Sequence, residues 1–287
     1  MKKKVCFTAV AMFTLGAALL FALTSGLGSA VTVHASSSNS EVVFGPVQTR
    51  GGTLIQSFTR QTTWHTRQSQ QHIVSVSGSN PIGMPTFPSN FTCGIVGALQ
   101  IVAGYNKVHP NLIPGHTAIG YVWGQPRWAL NITPALQAVE VEIFNRMGGN
   151  PQGVTHAQYI SGLNSLAQSR SLSFTNVNMM SGGQLNFPAI QAQLRQNRYA
   201  TVFMAGSFNV ASITPQNGFD IFNLEQYAGN HIMAVFGYRV MTYRNAAGQT
   251  TRIKRFLEVA TGFSGGTALL YLDNYLTISG ANITHIS

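Results

Sequence analysis

The fold turns on three consecutive pieces of chain. His231-Ile232-Met233-Ala234-Val235-Phe236-Gly237-Tyr238-Arg239-Val240-Met241-Thr242-Tyr243 is rich in β-branched and aromatic residues. Asn245-Ala246-Ala247-Gly248-Gln249 is a turn signal, and Ile253-Lys254-Arg255-Phe256-Leu257-Glu258-Val259-Ala260-Thr261 returns. Together they predict a long antiparallel hairpin. Residues 200–204 add a short apolar strand before it, and residues 268–278 a further strand after it. Upstream the period changes. Residues 93–106 are apolar nearly all round, as in a buried helix, with Gly94, Gly97 and Gly104 permitting close packing. Thr133-Pro134 is a helix opening, with Leu136, Val139, Ile143, Phe144 and Met147 at helical spacing and Gly148-Gly149 at its end. Thr155 caps another helix carrying Tyr159, Ile160, Leu163, Leu166 and Ala167 on one face, and residues 187–197 form a shorter one. Helices first and antiparallel strands after predict an α+β domain.

The chain has 287 residues, of which 45% are hydrophobic and only 8% charged. A soluble protein usually carries about 25% charged residues, so Ser, Thr, Asn and Gln supply most of the wet surface. The core is large enough to exclude wholesale disorder. The net charge of +10 is partly an N-terminal effect. Lys2, Lys3 and Lys4 precede the almost uncharged residues 5–27, and Val33-His34-Ala35 places small residues at both ends of a cleavage-site tripeptide. Residues 1–35 therefore read as a secretory signal peptide. A retained membrane anchor is the competing reading, since the apolar stretch is long enough to span a bilayer; the small-residue site and the serines that follow favour cleavage. The expected product is secreted, extracellular or wall-associated, with no stable membrane insertion after cleavage.

The mature chain keeps 14 basic and 7 acidic residues. The basic ones are scattered, and no Arg/Lys block is interleaved with aromatics, so nucleic acid is not an expected partner. Arg252, Lys254 and Arg255, beside Arg239 and Arg244, read as one exposed face of the hairpin. Few carboxylates means few native pairs to protonate, which predicts tolerance of acid. The histidines at 65, 72, 109, 116, 156 and 285 show no metal-ligand spacing, and no cofactor is expected. Residues 36–80, rich in Ser, Thr, Gln and Arg, are an N-terminal extension, a propeptide or early strands; residues 81–287 form the main domain.

Cys6 leaves with the signal peptide, so the mature chain carries one thiol, Cys93, at a predicted helix start. Backbone N–H groups and the helix dipole favour a thiolate there. His231 stands at a predicted strand start far downstream. A cysteine at a helix start and a distant histidine suit nucleophilic catalysis, although a lone strand histidine is more often structural.

The segment Phe91-Thr92-Cys93-Gly94-Ile95-Val96-Gly97-Ala98, continuing to Gly104-Tyr105-Asn106 and His109-Pro110-Asn111-Leu112-Ile113-Pro114, resembles the nucleophile segment of bacterial secreted papain-like cysteine peptidases. It is most similar to the branch related to the bacteriocin-leader (double-glycine) peptidases. Asn230-His231-Ile232-Met233-Ala234-Val235-Phe236-Gly237-Tyr238 resembles the histidine strand of that family, and Leu257-Glu258-Val259-Ala260-Thr261-Gly262-Phe263 its return strand. The resemblance implies a helical lobe carrying the nucleophile helix, packed on an antiparallel sheet carrying the histidine. It implies Cys93 as nucleophile, His231 as general base and acid, and a peptide or protein substrate.

Two positions depart from the family pattern. The histidine partner there is usually an asparagine or aspartate on the return strand. Here a turn near residues 246–247 sets Thr261 opposite His231, where its hydroxyl would orient the ring. Asp273 and Asn274 are alternatives, and Glu258 would pair higher up the hairpin. The oxyanion glutamine expected before the cysteine is Phe87, leaving Asn90 as oxyanion donor or helix cap. The expected activity is thiol-dependent hydrolysis of peptide bonds. The alternatives are acyl or peptidyl transfer by the same dyad, or a catalytically inactive binding protein. N-terminal sequencing of the secreted protein is expected to read from Ser36; a first residue within 1–35 would refute cleavage at that site.

Overall fold

In a computed structural model, residues 53–74, 93–116, 133–150, 153–261, 267–272 and 277–287 are described. The helices are α1 (Cys93–Tyr105), α2 (Pro134–Arg146), α3 (His156–Ser169) and α4 (Phe187–Leu194). The strands are β1 (Thr53–Thr63), β2 (Thr66–Ile73), β3 (Phe174–Asn178), β4 (Met180–Ser181), β5 (Gln184–Leu185), β6 (Tyr199–Gln216), β7 (Phe219–Arg244), β8 (Thr250–Ala260), β9 (Thr267–Tyr271) and β10 (Ile278–Ile286). Apart from the small β4–β5 ribbon, the strands form one antiparallel sheet. The chain is α+β, with four helices among the described residues.

The helices begin where capping chemistry puts them. The Thr133 hydroxyl accepts from the Leu136 N–H at the start of α2, with Pro134 in the first turn. Thr155 and Gln158 form a reciprocal capping box at α3. Asn186 caps α4. Helix α1 is buried along its whole length after Cys93, consistent with its all-round apolar sequence.

Sequence periodicity underestimates the strands. The run at residues 200–204 grows into the 18 residues of β6, and the run from His231 begins earlier, at Phe219. These two strands form one continuous hairpin from Ala200↔Val235 to Gln216↔Phe219. Residues 219–226 are strand because both edges of β7 are paired there, to β6 on one side and β1 on the other. The predicted strand at 268–278 is two strands, β9 and β10. They separate because β9 pairs with β8 and with Val210 and Ala211 of β6, whereas β10 pairs with β3 and with the start of β6, from Tyr199 to Met204.

The pairings close a ring. β6 joins β7, β7 joins β8, β8 joins β9, and β9 returns to β6 at Val210↔Leu270 and Ala211↔Leu269. β7 bends far enough that the Tyr243 hydroxyl, near its end, donates to Asp220 Oδ2, near its start, at 2.8 Å. A second core of Phe222, Leu224, Met241, Tyr243, Phe256, Leu269 and Tyr271 fills this bend. The main core joins all four helices to the sheet. Lys254, expected on an exposed face, is instead buried, its ammonium 3.9 Å from the Phe222 ring centroid and 4.9 Å from that of Tyr271. Alternation along β8 turns Lys254 to the same side as Phe256 and into the bend.

Part of the 36–80 segment belongs to the sheet. β1 pairs with the first half of β7, and β2 with its second half. Arg67 on β2 donates to Asp220 at 2.5 Å. Gly237 makes the β2 contact close: a Cβ there would lie 2.6 Å from the His72 carbonyl oxygen. Gly237→Ala is expected to destabilise the protein by about 2 kcal/mol, because the clash is with backbone rather than a movable side chain. Urea unfolding measures this, and an unchanged midpoint would exclude such close β2–β7 packing.

Candidate functional site

Cys93 opens α1, whose first turns lie against β7. A Cβ on Gly94 would stand 3.1 Å from Ile232 Cδ1, and one on Gly97 3.5 Å from Ile232 Cγ2. This approach sets the Cys93 sulfur beside the backbone of Ile232, the residue after His231 in the strand. The predicted nucleophile segment and histidine strand therefore meet at this corner of the fold.

Cys93 itself is only partly exposed. Burial raises its thiol pKa; the backbone N–H groups of Ile232, Gly94 and Cys93 oppose the rise without overcoming it. The sequence reading expected the helix start to lower the thiol pKa. The favourable N–H groups are present, but desolvation of the charged sulfur outweighs them.

His231 is fully buried. Its Nε2–H donates to the backbone carbonyl oxygen of Thr261 at 2.5 Å, and its ring stacks on Phe208 at 5.8 Å. A carbonyl oxygen can only accept, so Nε2 carries the hydrogen and the lone pair of the neutral ring lies on Nδ1. Thr261 thus orients the histidine, as its position suggested, but through its main chain rather than its hydroxyl. The mirror register placed 261 directly opposite 231. Irregularities between Val235 and Gly237 and between Tyr243 and Arg244 displace that register, and β8 pairing ends at Ala234↔Ala260. Burial depresses the His231 pKa to about 4, with the Thr261 carbonyl acting in the opposite direction.

Tyr159 was legible in the sequence only as a core position of α3. Its hydroxyl lies 3.0 Å from Thr201 Oγ1. Burial raises its pKa, the Thr201 bond lowers it, and the field of a Cys93 thiolate raises it further. It is a third polar group near the sulfur, and nothing in its helical spacing separates it from the apolar residues around it. Glu258 is committed elsewhere: it accepts from Gln71 Nε2 at 2.5 Å and from Arg239 at 3.1 Å. Phe87, Asn90, Asp273 and Asn274 lie outside the described residues.

Comparison with protein-family models, curated proteins and solved structures returned no match. The chemistry is therefore argued from these residues. They place a neutral thiol beside the Ile232 backbone, among N–H groups able to stabilise negative charge; the Ile232 side chain turns toward α1, so alternation along β7 turns the His231 ring, with its fixed tautomer, to the other face of the strand.

The buried histidine revises the expected acid tolerance. Below its ordinary pKa the unfolded chain takes up a proton that folded His231 refuses. Stability therefore falls as pH drops from 6.5 toward about 4. The full displacement corresponds to about 3 kcal/mol. His116 and His156, also lowered by burial, act in the same direction. Chemical denaturation across this interval is expected to show the loss, and His231→Gln to reduce it; a flat wild-type profile would refute a buried neutral His231.

Proposed function

We propose that this protein is a secreted thiol hydrolase of papain-like plan, cleaving peptide bonds through Cys93 and His231. The observation that carries the reading is the seating of the Cys93 sulfur at a helix start against the backbone of Ile232, next to His231. The Nε2–H bond to the Thr261 carbonyl supports it by leaving Nδ1 as the basic nitrogen.

Because burial favours the neutral forms of both groups, the chemistry is general-base rather than attack by a preformed ion pair. At rest alternation turns His231 away from α1, so the reaction requires this corner to rearrange; Nδ1 then takes the thiol proton as sulfur bonds to the substrate carbonyl carbon. Backbone N–H groups at the start of α1 stabilise the developing oxyanion. The proton passes to the leaving amine as the C–N bond breaks, and water then hydrolyses the thioester. Attack by a second amine in place of water would give the transferase reading.

A second reading, a secreted binding protein on the same plan, draws on the raised thiol pKa and depressed imidazole pKa, which describe an unreactive pair at rest. Turnover of a quenched fluorescent peptide library separates the two. Hydrolysis is expected, abolished in Cys93→Ala and reduced at least about a hundredfold in His231→Ala. The acid limb of kcat/KM in the free enzyme is expected at about 4, where His231 takes a proton. Unchanged turnover in Cys93→Ala overturns the thiol mechanism, and a folded wild-type protein that cleaves nothing favours the binding reading.

A further inference from the structure

A groove of about 440 Å³ crosses β1, β7 and β6 away from the helices. Ser57 and Val210 flank Glu225 on its two neighbouring strands, while Thr59 and Ser212 flank Asn223 in the same way. All of these residues line the groove. Asn223, Glu225, Tyr227 and His231 alternate onto one face of β7. Ring contacts connect the groove to the candidate site. His231 stacks on Phe208 at 5.8 Å, and Phe208 stacks on Tyr227 at 5.6 Å. The Tyr227 hydroxyl donates to Glu225 Oε2 at 2.7 Å.

The charge on Glu225 differs from that on three other carboxylates. Asp220, Glu142 and Glu258 each hold an arginine. Glu225 holds no basic partner among the described residues, although basic residues outnumber acidic ones 17 to 7. Its bond from Tyr227 fixes one oxygen and aims the carboxylate, and together they push the Tyr227 pKa up to about 12, after the larger contribution of burial. Around it are hydroxyl and amide groups suited to the polar backbone of an extended chain, with Phe58, Val210, Ala211, Leu224 and Ala268 as the apolar part of the wall.

We infer that this groove is a substrate subsite in which Glu225 selects a lysine or arginine side chain of an extended peptide. The inference rests on the reading of Cys93 and His231 as the reacting pair for its placement relative to the cleaved bond. Glu225 and His231 stand six residues apart on β7, about 20 Å of extended chain. The selected side chain therefore stands about six residues from that bond. Glu225 supplies charge, the neighbouring polar side chains supply hydrogen bonds, and the groove itself makes no demand on the thiol.

Direct binding tests the subsite separately from catalysis. The probes are N-acetylated octapeptides of randomised background, each pool carrying lysine, norleucine or glutamate at one scanned position. Fluorescence anisotropy is measured with full-length Cys93→Ala protein, so that no probe is consumed. The lysine pool is expected to bind roughly fivefold more tightly than the norleucine pool, with the preference fading as salt rises. Glu225→Gln should abolish that difference, and Glu225→Lys should transfer it to the glutamate pool. Glu225 is exposed, and an unchanged thermal midpoint checks that each variant is folded. Equal binding of the three pools, no binding at all, or a lysine preference that survives Glu225→Gln overturns the subsite. If the subsite holds while Cys93→Ala leaves turnover unchanged, the groove is a cationic-peptide site and the thiol mechanism alone fails.

Discussion

Close approach between α1 and β7 organises the candidate site. A Cβ on Gly94 would fall 2.4 Å from Val154 Cγ2 and 3.1 Å from Ile232 Cδ1. Glycine therefore lets the helix settle onto the strand, and the settled helix carries its first residue to the strand backbone. The same packing removes water from the sulfur. A helix held further away would leave Cys93 better solvated, and the N–H group of Ile232 would no longer face it.

This burial decides the electrostatics. A helix start supplies donors and a favourable dipole, each of modest size near a surface. Desolvation of an ion inside protein is larger, and here it raises the thiol while lowering the imidazole. The two groups rest neutral. For the proposed hydrolysis, a general-base route is the chemistry compatible with that state, since it creates charge only when substrate arrives. The main-chain acceptor at Thr261 suits such a pair. A carbonyl fixes the tautomer without adding the full negative charge with which a carboxylate would hold the histidine protonated.

Charges elsewhere in the sheet are handled differently. Arg67, Asp220 and Tyr243 form one bonded group across the bend of β7, and Lys254 lies over two aromatic rings. These contacts join strands distant in sequence: β2 to the beginning of β7, and β8 to β7 and β9. A chain with few acidic residues uses three of them to hold arginines, making the placement of Glu225 on a groove wall chemically distinct. The groove borders the second core, whose Ala211 and Leu224 also line it.

Sequence alone determined the order of helices before antiparallel strands, the caps at Thr133 and Thr155, the buried character of α1, and the joint candidacy of Cys93 and His231. These signals are local: a hydroxyl before a helical run, a glycine-bearing apolar segment, a β-prone run followed by a turn. The full lengths of β6 and β7, the division of β9 from β10, the burial of Lys254 and the position of Tyr159 required tertiary structure. Polar strand residues become legible only when the partners satisfying their backbone are known. The orienting contact on His231 divided the same way. Hairpin arithmetic indicated Thr261, but strand irregularities and a main-chain oxygen, which every residue carries, decided how the bond is made. Neither the depressed histidine pKa nor the raised thiol pKa could be read from residue types, because desolvation depends on everything packed around a group.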